Sequence, residues 1–94
     1  MTSQSKKHFI YILRCVDGTL YTGYTTNLDK RIVEHNGGGN TKAERSAGAK
    51  YTRPRRPVEL VHSEEFASRS EAMQREYAIK QLTKTQKEVL LAKG

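Results

Sequence analysis

The chain predicts an α+β domain, and three observations lead there. An apolar, β-prone run meets an Asp17-Gly18 turn and then a second such run, which reads as a hairpin. A third β-prone segment arrives only after a helix signal and a long polar stretch. Two capping signatures, Ser68-Arg69-Ser70-Glu71 and Thr83-Lys84-Thr85-Gln86, then open two more helices. Ninety-four residues make one domain with a modest core.

Residues 1–7 are polar, end in Lys6-Lys7 and carry no hydrophobic signal region, so they read as a loose terminus before a single domain over 8–94. His8 to Cys15 is the first strand. Its alternating sets, Phe9/Tyr11/Leu13/Cys15 and Ile10/Ile12, are both largely apolar, the mark of a central strand covered on both faces. Thr19 to Tyr24 is the second. A two-residue turn would pair Val16 with Thr19 and put Tyr21 on the face opposite Tyr11. A three-residue loop with Gly18 in the left-handed region pairs Cys15 with Thr19, sets Tyr21 against Leu13 and Gly23 against Tyr11, and brings both phenols to one face. The second register is the expected one. It also leaves room for a phosphate beside Gly23.

Thr25 to Asn27 are capping candidates for a helix from Leu28 to His35 or Asn36, ended by Gly37-Gly38-Gly39. Residues 37–56 read as one long loop, a length that within a compact domain points to function or disorder. Pro54 and Pro57 bracket its end. Val58 to Phe66 is the third strand, with Val58, Leu60 and His62 alternating against Glu59, Val61 and Ser63. A helix runs from the Ser68 cap to about Gln81 and a last one over Lys84–Lys93, with Val89, Leu90 and Leu91 expected on the sheet.

Seventeen Lys and Arg against ten Asp and Glu give a net charge of +7, a balance suited to a polyanion such as nucleic acid. Cys15 is the only cysteine, which excludes an internal disulfide and a thiolate zinc cluster and fits a reduced, cytoplasmic setting. No apolar run approaches the roughly 20 residues of a membrane span. No large apolar stripe is left over, so a monomer is expected.

Glu76 sits in an unusual place. Its helical neighbours Ala72, Met73 and Ile79 form the apolar stripe that should face the sheet. A carboxylate there is costly unless paired or metal-bound, and a bridge to Lys80 or Arg69 stands beside a functional role. Arg31 and His35 lie one turn apart, suited to hold a phosphate and relay a proton, or simply part of an exposed cationic surface. The long loop carries Lys42, Arg45, Lys50, Arg53, Arg55 and Arg56 around Tyr51, a pattern for clamping phosphates and unpaired bases or a solvated charged loop.

Taken together these positions resemble the GIY-YIG nuclease family. Tyr11 falls on the first tyrosine and Tyr21-Thr22-Gly23 on the second motif. Arg31 and His35 follow Tyr21 by ten and fourteen positions, and Glu76 lies in Gln74-Arg75-Glu76-Tyr77. The stretch Tyr21 to Asn27, Lys30-Arg31 and His35-Asn36 is similar to small single-domain bacterial members and to the nuclease domain of structure-specific resolving nucleases, whose loop resembles Lys50-Tyr51-Thr52. Phe9 replaces the motif's first glycine. The asparagine that several members carry after the glutamate is missing, with Lys80, Gln81 and Lys84 in that region.

The resemblance implies a three-stranded antiparallel sheet flanked by helices, in an α/β sandwich. It implies a divalent metal, Mg2+ or Mn2+, held by Glu76, with Tyr11 as base, Tyr21 as positioner, Arg31 steadying the charged transition state and His35 in support. The expected activity is a metal-dependent endonuclease on DNA rather than RNA, preferring single-stranded, flapped or branched substrates. Gly23 and the loop residues Lys42, Arg45, Lys50, Tyr51, Arg53, Arg55 and Arg56 are the expected nucleic-acid contacts. The rivals are a non-catalytic nucleic-acid-binding module of the same fold and a structural basic protein of a ribonucleoprotein.

Overall fold

The computed structural model describes residues 7–38 and 52–93. Lys42, Arg45, Lys50 and Tyr51 of the expected clamp lie outside the described residues, as do residues 1–6 of the expected loose terminus.

β1 (His8–Cys15) and β2 (Leu20–Thr25) pair antiparallel, with Tyr11 opposite Gly23 and Leu13 opposite Tyr21. This is the three-residue-loop register. Gly18 takes φ +85°, a conformation that side chains disfavour. The Cys15 N–H donates to the Thr19 carbonyl at 2.8 Å, and the Gly18 N–H to the Cys15 carbonyl at 2.9 Å. Asp17 Oδ1 accepts from the Thr19 N–H at 3.1 Å and from its hydroxyl at 2.6 Å. These bonds tie Thr19 into the turn, so β2 begins one residue later than its composition predicts and runs on to Thr25, opposite Phe9.

β3 (Val58–Phe66) pairs antiparallel with the other side of β1, giving the order β2-β1-β3 with β1 in the centre. The register slips once. Ile12 opposes His62 while Leu13 opposes Leu60, which leaves Val61 as a bulge. The expected alternation along β3 therefore breaks: Leu60 shares the face of Leu13, and His62 that of Ile12. Val61 packs with the Ile10 and Ile12 side.

Among the described residues, three α-helices cover the sheet. α1 (Leu28–His35) starts where Asn27 Oδ1 accepts the Lys30 N–H at 3.2 Å, a cap whose loss costs about 1 kcal/mol. Its Leu28 and Ile32, one turn apart, pack on Tyr11, Leu13, Cys15 and Val58. α2 (Arg69–Lys80) starts at Ser68, whose Oγ accepts the Glu71 N–H at 3.2 Å. α3 (Lys84–Lys93) opens with a reciprocal box. The Gln86 N–H reaches Thr83 Oγ1 at 3.2 Å, and the Thr83 N–H reaches Gln86 Oε1 at 2.9 Å.

On the face away from α1, Ala72 and Ile79 of α2 and Leu90 and Leu91 of α3 cover Ile10 and Ile12. Val89, expected with them, is 52% exposed. Successive helical residues turn by about 100°, so three in a row do not share one face. Arg14 grips both carboxylate oxygens of Glu88 at 3.1 and 3.0 Å, tying α3 to β1.

Candidate active site

Alternation along β1 sends Ile10 and Ile12 to one layer and Tyr11 to the other, under α1. Tyr11 is 1% exposed. Its ring lies across Gly23: a Cβ there would sit 2.5 Å from the Tyr11 oxygen and 2.6 Å from the carbon bearing it. Glycine is thus a steric requirement of the tyrosine. The space expected to admit a phosphate is filled by the Tyr11 phenol itself. Tyr21, two residues along on the same face, is half-buried, with its ring centroid 6.4 Å from that of Tyr11.

His35 closes α1 and completes the cluster, with ring centroids 5.7 Å from Tyr11 and 5.2 Å from Tyr21. It is fully buried. Its Nε2 lies 2.7 Å from the Tyr11 hydroxyl and its Nδ1 lies 2.8 Å from Thr52 Oγ1. A continuous polar chain, Tyr11–His35–Thr52, therefore runs through the buried layer.

The segment after Thr52 holds this arrangement. Where only loop was expected, Arg53–Arg55 form a 3-10 turn. The Arg55 carbonyl accepts the Val16 N–H at 3.1 Å, and Arg55 Nε donates to Asp17 Oδ2 at 3.1 Å, docking the turn on the hairpin tip. Arg56 donates to the His35 carbonyl and, at 3.4 Å, to that of Glu34, satisfying the open end of α1. The Asn36 amide bonds both backbone groups of Val58, at 2.7 and 3.2 Å.

Arg31, one turn before His35, pairs with Glu34 at 3.0 Å and also reaches the Tyr11 phenol. Burial works against its charge, but the bonds to Tyr11 and Glu34 outweigh that and raise its pKa. Burial pushes the Tyr11 phenol up to about 12; Arg31 pulls it down, while Tyr21 and Glu76 add to the rise. Burial drives His35 down to about 4, helped by the like charges of Arg31 and Arg56 and opposed by Glu34. At neutral pH both phenol and imidazole are therefore uncharged.

Glu76 comes from α2, across the sheet, yet its charge acts on Tyr11. Its side chain is 19% exposed, beside the buried stripe residues Ala72 and Ile79. Of the two cations set against it by sequence, Lys80 is the one placed, with Nζ 3.6 Å from Oε2. Arg69 instead lies over the Tyr24 ring at 5.5 Å. The structure thus brings together Tyr11, Tyr21, Gly23, Arg31 and His35, with Glu76 in electrostatic reach. The guanidinium groups of Arg55 and Arg56, both expected as nucleic-acid contacts, brace the hairpin and α1. Arg53 is exposed on the turn.

Thr52 is the site residue that sequence reasoning missed. Its one sequence signal is its place after Lys50-Tyr51. His8 and His62, which carried no signal, have partners of their own: His8 bonds Tyr24 at 2.7 Å, and His62 joins Glu64, which Arg75 also grips.

Comparison with known proteins matches this chain to a family. The model of the GIY-YIG catalytic domain covers residues 7–89. A UPF0213 protein of Natronomonas pharaonis is 55% identical over 90% of this chain and 91% of its own length. One from Staphylococcus saprophyticus is 49% identical over 94% of this chain and 98% of its own. The solution structure of an E. faecalis protein superposes with TM-score 0.61 at 45% identity, covering 98% of this chain and 90% of that one. That of a UPF0213 protein from Bacillus halodurans gives 0.56 at 45% identity, over 92% and 83%. With its three-stranded antiparallel sheet, its three helices and its paired tyrosines, this chain belongs to the GIY-YIG nuclease family.

Proposed function

We propose that this domain is a divalent-metal-dependent endonuclease that hydrolyses DNA phosphodiester bonds, acting as a monomer and preferring single-stranded, flapped or branched substrates. The observation that carries the reading is the convergence of Tyr11, Tyr21, Arg31 and His35 from three elements on one patch that also feels the Glu76 charge.

Each residue has work suited to its chemistry. Arg31, a fixed cation beside the phenols, stabilises charge that builds on the phosphate oxygens. Tyr11, oriented by its hydrogen bond to His35 Nε2 2.7 Å away, loses its phenolic proton to solvent when nearby positive charge favours the phenolate, and the phenolate then takes a proton from the attacking water. Tyr21, the more open phenol, orients water and phosphate. Glu76 offers one half-buried carboxylate, and among the described residues no three His, Cys, Asp or Glu side chains gather into a cage. One carboxylate with waters and a substrate phosphate fits a hard hydrated cation, Mg2+ or Mn2+. Held by Glu76, such an ion would supply Lewis-acid polarisation of the scissile phosphate and would offset the part of the Tyr11 shift that comes from the Glu76 charge. Arg53 and, outside the described residues, Lys42, Arg45, Lys50 and Tyr51 supply backbone and base contacts, which favours unpaired nucleic acid over a defined sequence.

A second reading, a binding module without turnover, draws on the neutral Tyr11 and on Lys80, which occupies Glu76 at 3.6 Å. The test incubates labelled single-stranded, duplex, flapped and branched DNA with wild type and Glu76→Ala, in Mg2+, Mn2+ or EDTA. The expected result is metal-dependent cutting that falls about 100-fold or more in the variant while DNA binding persists. Binding without cutting in every condition sinks the nuclease and leaves the module.

A further inference from the structure

We propose that Thr52 is a positioning residue: its hydroxyl accepts the Nδ1–H of His35 and so holds the imidazole in the tautomer whose Nε2 receives the Tyr11 phenolic proton. The chemistry follows from a count of donors and acceptors. The Tyr11 hydroxyl is buried, so its single proton needs an acceptor inside the protein. Arg31, which also reaches the phenol, has only N–H groups to offer. Among the described residues, His35 Nε2 at 2.7 Å is the partner placed to accept it.

A neutral imidazole that accepts at Nε2 carries its proton on Nδ1. Thr52 Oγ1, at 2.8 Å, then accepts it. The reverse tautomer would aim the Nε2–H and the Arg31 N–H groups at one phenol oxygen and leave the phenolic proton facing donors. Burial and the charges of Arg31 and Arg56 disfavour the imidazolium, which would donate at both nitrogens.

Thr52 is well placed to enforce this choice. It is fully buried, and β-branching limits it to few rotamers. Its carbonyl accepts the Arg55 N–H at 2.9 Å, so the docked turn fixes its backbone. Arg56, four residues on, holds the main-chain carbonyl of His35. One short segment therefore grips the histidine by both ring and backbone.

The test is a long-range 1H–15N spectrum of the His35 ring in wild type, Thr52→Ser and Thr52→Val. The expected wild type carries its proton on Nδ1, Thr52→Ser keeps it there, and Thr52→Val shifts the population to Nε2–H. A wild-type ring protonated on Nε2, or a Thr52→Val ring still protonated on Nδ1, overturns the proposal. This readout needs no turnover, so it stands apart from the nuclease reading on which the residue's importance rests. Where cutting is measurable, kcat falls about 10- to 100-fold in Thr52→Val with KM little changed, and Thr52→Ser restores most of it. Loss of KM alone, or no rescue by serine, also overturns it.

Discussion

The two faces of the sheet are built from alternate residues of the same strand, and they differ in kind. Ile10 and Ile12 look towards α2 and α3 and meet Ala72, Ile79, Leu90 and Leu91, a dry apolar layer. Tyr11 looks towards α1 and meets His35 and Thr52 in a buried polar chain. One layer gains stability from excluding water. The other accepts the cost of burying polar groups, kept small because each finds a partner. The lesson is a division of labour at single-residue spacing: alternate residues of one strand build a dry apolar layer on one side and a buried polar chain on the other.

Four changes break or sharpen this contrast. The largest effect belongs to the apolar face. Ile12→Ala opens a cavity under α2 and should lower unfolding free energy by about 2–5 kcal/mol, read by urea denaturation, a large share of a small domain's total. The polar face, by contrast, should show itself in acid. Burial pushes the folded His35 down to about 4, whereas an exposed imidazole in the unfolded chain titrates near 6.5. The unfolded chain therefore binds more protons between these values. Stability should fall as pH drops from about 6.5 to 4, by on the order of 3 kcal/mol, and His35→Gln should flatten that slope. A Tyr11 raised to about 12 adds a loss in alkali as pH climbs from 10.

Gly23→Ala comes next. The new Cβ forces the Tyr11 ring aside, costing about 1–3 kcal/mol, and the His35 ring signals should shift as the 2.7 Å bond is lost. Unshifted His35 signals would mean the ring adapts without releasing the histidine. Smallest is Arg14→Ala, at the edge of the apolar face. Its pair with Glu88 is open to solvent on both sides, so a double-mutant cycle should give only a small coupling that fades with added salt.

Local rules carried much of this fold. The Asp17-Gly18 pair with its left-handed glycine set the hairpin register and so the shared face of Tyr11 and Tyr21. Asn27, Ser68 and Thr83 marked helix starts that the structure places within a residue. What stayed hidden depends on contacts distant in sequence. The Val61 bulge is chosen by how β3 meets β1, and no residue in Val58–Phe66 announces it. The roles of Thr52 and Arg56 arise because the chain returns to the end of α1, and a stretch of basic residues does not reveal which arginine caps a helix. Glu76 was visible as a carboxylate in an apolar stripe, but its influence on Tyr11 required the two layers to be assembled.

The Asn36–Val58, Thr52–His35 and Arg56–His35 bonds all converge on the end of α1, so the segments that begin at Thr52 and end at Asn36 are tied together at nearly one point. The entropy of closing a loop grows only with the logarithm of its length, about 0.6 kcal/mol for each doubling. A change of chain length between these anchors should therefore carry a small thermodynamic penalty. Such a change would leave the contacts that Thr52 and Arg56 make with His35 in place.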